Sequence, residues 1–391
     1  MVKKFKVHSL TGRITLALMH DAFRAVKRNR GAAGVDKVSI GMFESNLEQN
    51  LLALMRQLKD RSFRPHPLRR VHIPKGDGKT RPLGIPAVRD RVAQEVLRQL
   101  LSPIFEPLFH DDSYGFRPRR GCHMAIKRVL ELKAEGLTHV LDADIRGFFD
   151  NIPHTVIMEG LAAEVADGNI LTLVERFLKA GVLEDGQFLS TRMGTPQGGV
   201  ISPLLANIAL NSLDWKLHAA GYRFVRYADD FVVLCQSAEQ AREAHVLVET
   251  HLTSIGLSLS AEKTRTTRFS AGFQFLGFRI NAWSVIMRDK SVQKFKDRVR
   301  EVTVRHRNLE AGVVKELNQV VRGVARYFGP PFATVRALFR DLDEWLRMRL
   351  RCMKFKRKSR EDNWRMCVKH LRRMGFVFLC DLLPEPVVET S

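Results

Sequence analysis

Two groups of aspartates in the sequence have the residue type and spacing needed for metal-dependent chemistry. Asp229 and Asp230 stand between two short runs, 222–226 and 231–235, that are rich in apolar and β-branched residues. Such runs favour two antiparallel strands, which would place both carboxylates at the tip of a hairpin. A turn can also use aspartate only to cap its own backbone, but tight two-residue turns usually contain Gly or Asn, and this one has neither.

The second group lies earlier in the chain, where Asp144 precedes Asp229 by 85 residues. Asp142 and Asp144 end a β-rich run, and strand alternation puts both side chains on one face. Gly147, which follows, allows a sharp exit from this strand. If this strand lies beside the hairpin, three carboxylates converge and need cations to neutralise them. Two Mg²⁺ ions about 3.5–4 Å apart would do so and would stabilise the attacking and leaving oxygens of a phosphoryl displacement. That chemistry is nucleotidyl transfer.

The overall charge agrees with a partner that carries many phosphates. The 391 residues include 64 Lys and Arg against 42 Asp and Glu, a formal net charge of +22, with 45% hydrophobic residues. This composition is typical of a soluble globular chain of two or three domains that binds nucleic acid. An anionic membrane is the competing partner, but the sequence contains neither an apolar run of about 18 residues nor a signal-peptide core. We therefore expect no membrane partner and a location in the cytosol. Five cysteines without a Cys-x-x-Cys pair favour a reducing compartment.

The elements that must position these residues predict an α+β fold. Helical stretches alternate with short β-rich runs up to about residue 286. Segment 64–91 contains eight Lys and Arg interrupted by Pro and Gly, which indicates a basic loop or hairpin near phosphate. Residues 287–380 hold 25 Lys and Arg against 10 Asp and Glu, and their periodicity predicts three helices over 290–355 with cationic outer faces.

Short motifs follow one another along the chain in a fixed order. They occupy 31–36, 73–75, 81–86, 113–118, 144–150, 194–199, 202–207, 227–230, 262–264 and 275–278. Together they resemble the reverse transcriptases encoded by group II introns of bacteria and organelles, and their free-standing relatives. The resemblance covers roughly residues 20–375, and segment 343–351 resembles the family's thumb and maturase region. Because members with an endonuclease domain continue further, the chain is expected to lack that domain.

The resemblance implies a right-hand polymerase fold and RNA-directed DNA synthesis. An N-terminal extension and the start of the fingers would cover 1–63, and the fingers and palm 64–286. A basic helical thumb/maturase domain would cover 287–380, and an acidic tail 381–391. The implied partners are an RNA template, a DNA primer, dNTPs and structured intron RNA, with a homodimer or an accessory host protein as further options.

The resemblance also implies roles for individual residues. The catalytic carboxylates would be Asp144, Asp229 and Asp230, a choice of Asp144 over Asp142 that spacing alone leaves open. The carbonyl of Ile145 would complete the ligands of two Mg²⁺ ions, for which Mn²⁺ could substitute. The incoming nucleotide would contact Lys75, Arg81, Gln197 and Phe149. Lys75 and Arg81 could instead be solvated hairpin charges.

Several of these roles have a structural alternative. Lys263 would donate a proton to the pyrophosphate leaving group, or it could only neutralise the acidic palm. Phe149 would lie under the sugar and collide with a ribose 2′-OH, unless it is a core aromatic and Phe148 is the exposed one. The expected nucleic-acid contacts are Arg117, Gly277, Lys354, Lys356, Arg357 and Lys358. The last four could also form a solvated run that only aids solubility.

Two other functions remain open at the level of sequence. A host could have adopted such a reverse transcriptase for repair, phage defence or CRISPR spacer acquisition. Alternatively, the chain could be an RNA-binding splicing cofactor with vestigial polymerase activity. The retained aspartates argue against the cofactor alternative, because clustered carboxylates are costly for a protein that only binds RNA.

Overall fold

The computed structural model describes residues 6–76, 79–195 and 198–385. The chain divides into two compact units, the first formed by Met1–Leu137 and Ala143–Arg265, the second by Thr138–Asp142 and Thr266–Ser391. Helices and strands occur in both units, which confirms the α+β prediction. No helix among the described residues is both long and apolar enough to cross a membrane.

The first unit contains ten helices within the described residues. They are α1 (Leu16–Asn29), α2 (Ile40–Glu44), α3 (Leu47–Lys59), α4 (Val88–Phe105), α5 (Cys122–Ala134), α6 (Phe148–Asn151), α7 (His154–Glu164), α8 (Gly168–Leu178), α9 (Ser202–Ala219) and α10 (Ala238–Ser254). Helix α9 is buried on most of its surface because its first turns consist almost entirely of apolar and small side chains. It forms a rigid support beside the hairpin of the aspartates.

A four-stranded sheet of the first unit carries the basic segment predicted near phosphate. Its order is β2 (Lys79–Ile85), β1 (Leu68–Gly76), β4 (Val182–Glu184) and β5 (Gln187–Leu189). Strands β1 and β2 are antiparallel, with Ile73 opposite Arg81 and an irregularity between Pro74 and Gly76. The predicted basic hairpin is therefore confirmed.

The aspartates lie on a second group of strands. Strand β6 (Arg223–Tyr227) pairs with β7 (Asp230–Cys235), and β7 neighbours β3 (His139–Asp144). The boundary between the two units falls inside β3, whose last two residues belong to the first unit. Gly147 follows with φ +52° and precedes α6, which confirms the sharp exit predicted from its type.

The second unit combines short strands with helices. Strands β9 (Phe273–Phe275), β10 (Phe278–Ile280) and β11 (Val285–Met287) form an antiparallel sheet in the order β11-β10-β9, and β8 (Arg265–Arg268) precedes them. The helices are α11 (Asp289–Val302), α12 (Ala311–Phe328), α13 (Arg336–Phe355), α14 (Asp362–Arg365) and α15 (Val368–Arg373). Helices α11 to α13 confirm the predicted three-helix unit. Each buries one apolar stripe. The cations of α11 and α12 are mostly exposed, whereas Arg347, Arg349 and Arg351 of α13 are half-buried.

Candidate active site

The hairpin of the aspartates has the shortest of the common turns. Tyr227 pairs with Asp230, which leaves only Ala228 and Asp229 between the strands and confirms the predicted hairpin. Ala228 has φ +59°, in the left-handed region that residues with a Cβ rarely adopt. Such a conformation persists only when the surrounding structure holds it in place.

Two neighbouring segments hold this turn. Tyr114 N donates to Arg226 O at 2.8 Å, and Arg226 N donates to Asp112 O at 2.9 Å. Gly115 lies directly against the turn, where a Cβ would stand 2.3 Å from Ala228 N. The backbone of motif 113–118 therefore fixes the position of the turn, and only glycine fits at 115.

A buried ion pair supports the turn from below. The Arg226 guanidinium donates to both carboxylate oxygens of Asp214, at 2.7 and 2.6 Å, and both side chains are almost fully buried, at 1% and 0% exposure. The same guanidinium donates to Ala228 O at 2.9 Å and to Asn207 Oδ1 at 3.0 Å. Asn207 Nδ2 in turn donates to Gly115 O at 2.9 Å. One network therefore links helix α9, the turn and the segment above it.

The sequence motifs do not reveal this network. Asn207 lies in motif 202–207 without a predicted role, and Asp214 lies outside the motifs. A signal was present in Arg226, a charged residue two positions before the aspartate turn, since it follows the apolar Phe224 and Val225. Its partner could not be read from spacing, because helix packing brings Asp214 to it.

Asp144 and Asp229 line one cavity of about 640 Å³. It is also lined by the predicted nucleotide contacts Arg81 and Phe149, by Ile145, the predicted metal ligand, and by Lys263, the predicted proton donor. The side chain of Lys75 and all of Gln197 lie outside the described residues. The structure thus brings the two carboxylates together with the cations Arg81 and Lys263 and with the ring of Phe149.

Asp230 is not among the residues that line this cavity. It is the first residue of β7, directly after the turn, and consecutive residues of an extended chain point to opposite sides. Within the described part of the chain, no group of three or more His, Cys, Asp and Glu side chains is arranged to hold a metal ion. The convergence of three carboxylates therefore stays a prediction, while two of them line the cavity.

The charges in the cavity are partly balanced by the chain itself. Lys263 Nζ lies 2.8 Å from Asp144 Oδ1. Burial raises the pKa of the Asp229 carboxyl, and the nearby Asp144 raises it further. Arg81 and Lys263 act in the opposite direction on this pKa. The contact of Lys263 agrees with the neutralising alternative, and its proton-donor role stays a prediction.

Phe149 and Phe148 occupy different environments. Phe148 is buried, with 2% exposure, whereas Phe149 is half-buried at the edge of the cavity. The Phe149 ring makes an edge-on contact with Phe116, with centroids 6.3 Å apart. Both residues belong to helix α6, where consecutive side chains point about 100° apart around the helix axis. Phe148 is therefore the core aromatic. This arrangement agrees with the predicted sugar contact of Phe149 and not with its alternative, in which Phe149 is buried and Phe148 exposed.

The glycine-rich loop packs its backbone tightly against its neighbours. Gly194 N donates to Ile152 O and Thr195 N to Phe149 O, each at 2.7 Å. A Cβ on Gly198 would lie 2.3 Å from Gly84 O of strand β2. This close approach explains the glycine at 198, whose φ of +110° also favours a residue without a Cβ.

Arg117 has a structural position. Its guanidinium, 3% exposed, pairs with Glu106 at 2.8 Å and donates to the carbonyls of Ser113 and His110 at 2.8 and 2.6 Å. These contacts brace the loop of motif 113–118. Because the buried guanidinium is already engaged within the chain, nothing around Arg117 supports its predicted contact with nucleic acid.

The other predicted nucleic-acid contacts lie in the second unit. Gly277 has φ +83° in the turn between β9 and β10. Lys356 Nζ donates to the carbonyls of Arg305 and Arg307, both at 2.6 Å, and Arg357 pairs with the buried Asp362 at 3.1 Å. Lys354 and Lys358 are exposed. Two of the four predicted cations are thus engaged within the unit.

Comparison with known proteins places this geometry in a family. Residues 73–280 match the family described as reverse transcriptase (RNA-dependent DNA polymerase), and residues 292–373 match the group II intron maturase-specific domain. No endonuclease domain was found.

Individual relatives agree with these matches. Protein YkfC of Escherichia coli K12 is 35% identical over 302 residues, which cover 66% of this chain and 79% of YkfC. The group II intron-encoded protein LtrA of Lactococcus lactis subsp. cremoris is 40% identical over 197 residues, 49% of this chain and 32% of LtrA. The solved telomerase of Candida albicans, in complex with a fragment of telomeric RNA, has a TM-score of 0.45 and 13% identity, covering 86% of this chain and 66% of its own.

The reverse transcriptase match covers just over half of the chain, and the maturase-specific match follows it. The alignment with YkfC covers 66% of this chain at 35% identity. The chain therefore belongs to the group II intron reverse transcriptases and is an RNA-directed DNA polymerase with a maturase-specific domain.

Proposed function

We propose that this chain extends a DNA primer on an RNA template by nucleotidyl transfer at Asp144 and Asp229. The observation that carries the proposal is their meeting in one cavity although 85 residues separate them in sequence. The same cavity contains Arg81 for the triphosphate and Phe149 for the sugar. Clustered carboxylates of this kind destabilise a protein that only binds RNA, which argues against a vestigial polymerase.

Reverse transcriptases generally depend on Mg²⁺, and the oxygen donors of the cavity fit this ion. The carboxylates of Asp144 and Asp229 and the carbonyl of Ile145 are the hard ligands that Mg²⁺ prefers. We propose that they hold two ions together with Asp230, and that Mn²⁺ can substitute. When bound, the ions would supply Lewis-acid stabilisation of the attacking and leaving oxygens.

The chain's own residues would then perform the remaining tasks. Arg81, beside the cavity on β2, binds phosphate oxygens through a guanidinium that can grip two of them. Lys75 and Gln197 complete the contacts to the incoming nucleotide. Lys263 can leave Asp144 and donate its proton to the departing pyrophosphate, since its ammonium is more than half exposed and free to move.

The second unit would bind nucleic acid and structured intron RNA. Residues 287–380 carry a net charge of +15, and the maturase-specific match covers 292–373. We keep 287–380 as the thumb/maturase domain, 64–286 as fingers and palm, 1–63 as the N-terminal extension and 381–391 as the acidic tail. The proposed location is the bacterial cytosol, supported by the bacterial relatives and five free cysteines.

Primer extension on an RNA template with Mg²⁺ tests the proposal. Asp144→Asn should lower the rate by at least about a thousandfold, because a lost metal ligand removes several kcal/mol of transition-state stabilisation. Asp142→Asn is the matched control, since it changes the same residue type two positions earlier in β3 at a side chain outside the cavity. Equal activities of the two variants would remove Asp144 from the chemistry.

The choice between DNA and RNA synthesis depends on Phe149. Its half-buried ring at the cavity edge supports exclusion of a ribose 2′-OH. Phe149→Ala should keep polymerisation and raise ribonucleotide incorporation at least about tenfold, because a steric clash between substrate and ring is removed. Incorporation of dNTPs and rNTPs is measured together with the melting temperature. Unchanged discrimination in a folded variant would contradict the role.

A further inference from the structure

The second unit contains a cavity of about 510 Å³ between one face of α13 and the segment that follows this helix. Helix α13 contributes Glu344, Arg347, Met348 and Arg351, which form one stripe because they are three or four residues apart. The following segment contributes Lys358, Ser359, Arg360 and Asn363. Four of these eight side chains are cationic and one is acidic, so the cavity carries a net charge of +3.

The cations of this cavity have little internal compensation. Arg347 lies 3.7 Å from Glu344, and within the described residues Lys358 and Arg360 have no ion-pair partner. Arg351 donates to Met366 O at 2.9 Å and to Asn363 Oδ1, which are neutral acceptors. These bonds orient the Arg351 guanidinium without neutralising its charge.

Arg347 and Arg351 also crowd each other. Burial lowers the pKa of the Arg351 guanidinium, and the neighbouring Arg347 lowers it further. The buried carboxylate of the same segment, Asp362, acts in the opposite direction on this pKa, but its ion pair, at 3.1 Å, is with Arg357. An anion bound between the two arginines would relieve their repulsion, and a guanidinium can hold two oxygens of a phosphate at once.

We propose that this cavity binds backbone phosphates of an RNA strand. The inference rests on the proposed function, since it assumes that the chain binds RNA. A volume of about 510 Å³ lies within the range of ligand pockets and exceeds what a single phosphate fills. Trp364, directly after Asn363, is 87% exposed and offers its indole face to an unpaired base. Phosphate-binding cations next to an exposed aromatic ring favour a single-stranded or bulged segment over a free anion.

This site differs from the run of cations that the sequence indicates. Of Lys354, Lys356, Arg357 and Lys358, only Lys358 lines the cavity. The two arginines of α13, which the sequence analysis did not select, supply the oriented part of the site.

Salt-dependent binding of the full chain to a structured RNA with an unpaired loop tests the inference. The variant is Lys358→Ala with Arg360→Ala, and the matched control is Lys315→Ala with Arg322→Ala on α12. All four positions are exposed, and among the described residues none has an ion-pair partner. The cavity variant should lower the log–log salt slope by about 1.4, which is the loss of two phosphate contacts to a single strand. The control should leave the slope unchanged.

A second measurement separates RNA from other anions. Trp364→Ala should weaken binding of the looped RNA about tenfold and leave competition by inorganic pyrophosphate unchanged, because only a base stacks on the ring. Equal slopes for the cavity variant and its control would overturn the site. Competition by polyglutamate as strong as by RNA of equal charge would overturn the RNA assignment in favour of an acidic protein. A parent chain that binds no RNA at all would instead overturn the proposed function itself.

Discussion

Like charges crowd together in two regions of this chain, the carboxylate cavity of the first unit and the arginine cavity of the second. In the first, Lys263 contacts Asp144 at 2.8 Å, Arg81 stands nearby, and the buried Arg226 supports the turn that carries Asp229. In the second, Glu344 is the one carboxylate that lines the cavity. The chain balances its acidic site with its own residues, whereas we propose that its basic site is balanced by an external anion.

The largest expected effect comes from breaking the buried ion pair between Arg226 and Asp214, which supports the aspartate turn. Arg226→Met leaves the fully buried Asp214 without its partner, which should destabilise the protein by about 3–5 kcal/mol. Chemical denaturation measures this free energy of unfolding. Adding Asp214→Leu should recover most of the stability, because an apolar pair replaces the buried ions.

The double variant also separates stability from activity. It lacks the donor to Ala228 O, so the turn loses one of its supports and primer extension should stay impaired although the protein is folded. A single Arg226→Met variant that unfolds within about 1 kcal/mol of the parent would show that the pair does not balance this region.

A smaller effect is expected from removing the exposed cation of the acidic site. The pKa of Asp229 is raised above its ordinary value, and Lys263 is one of the groups that hold it down. A carboxyl must lose its proton to bind a cation, so activity falls as the pH drops through this pKa. Lys263→Met should therefore move the acidic limb of the pH–activity profile to higher pH. Primer extension across the acidic range measures it, and a limb that moves to lower pH would contradict the assignment.

The smallest effect is expected in the arginine cavity. Arg347→Gln removes the repulsion with Arg351 but also a contact with the Phe378 ring, whose centroid lies 5.8 Å away. The lost repulsion stabilises the protein and the lost ring contact destabilises it. The free energy of unfolding should therefore change by less than about 1 kcal/mol. Because salt screens the repulsion, the melting temperature of the parent should rise more with added salt than that of the variant. Identical salt responses would mean that the two arginines do not interact.

The catalytic region was predictable where local pattern decides structure. The hairpin of Asp229 and the strand end at Asp144 follow from β-rich runs, and Gly147 follows from the need for a left-handed residue. Phe148 is buried and Phe149 is not, as predicted, but the predicted reason was wrong, because both lie in helix α6 and not in an extended strand. Each of these features depends on residues that are adjacent in sequence.

The remaining features depend on contacts between distant segments. Asp214 reaches Arg226 only because α9 packs beside the hairpin, and Lys356 reaches the carbonyls at 305 and 307 only through the packing of the second unit. A basic run such as 354–358 therefore overstates the number of cations available to a ligand. Equally, the stripe of arginines on α13 looks like an ordinary solvated helix face until the following segment closes over it.

The missing Cβ of Gly115 has a practical consequence. A methyl group there would stand 2.3 Å from Ala228 N and would displace the turn, while every carboxylate and cation of the cavity stays chemically intact. We expect Gly115→Ala to give a chain that still holds template and primer but does not extend them. Such a variant would serve as an affinity reagent, since the RNAs it retains in cells would be those that the enzyme selects before any copying begins.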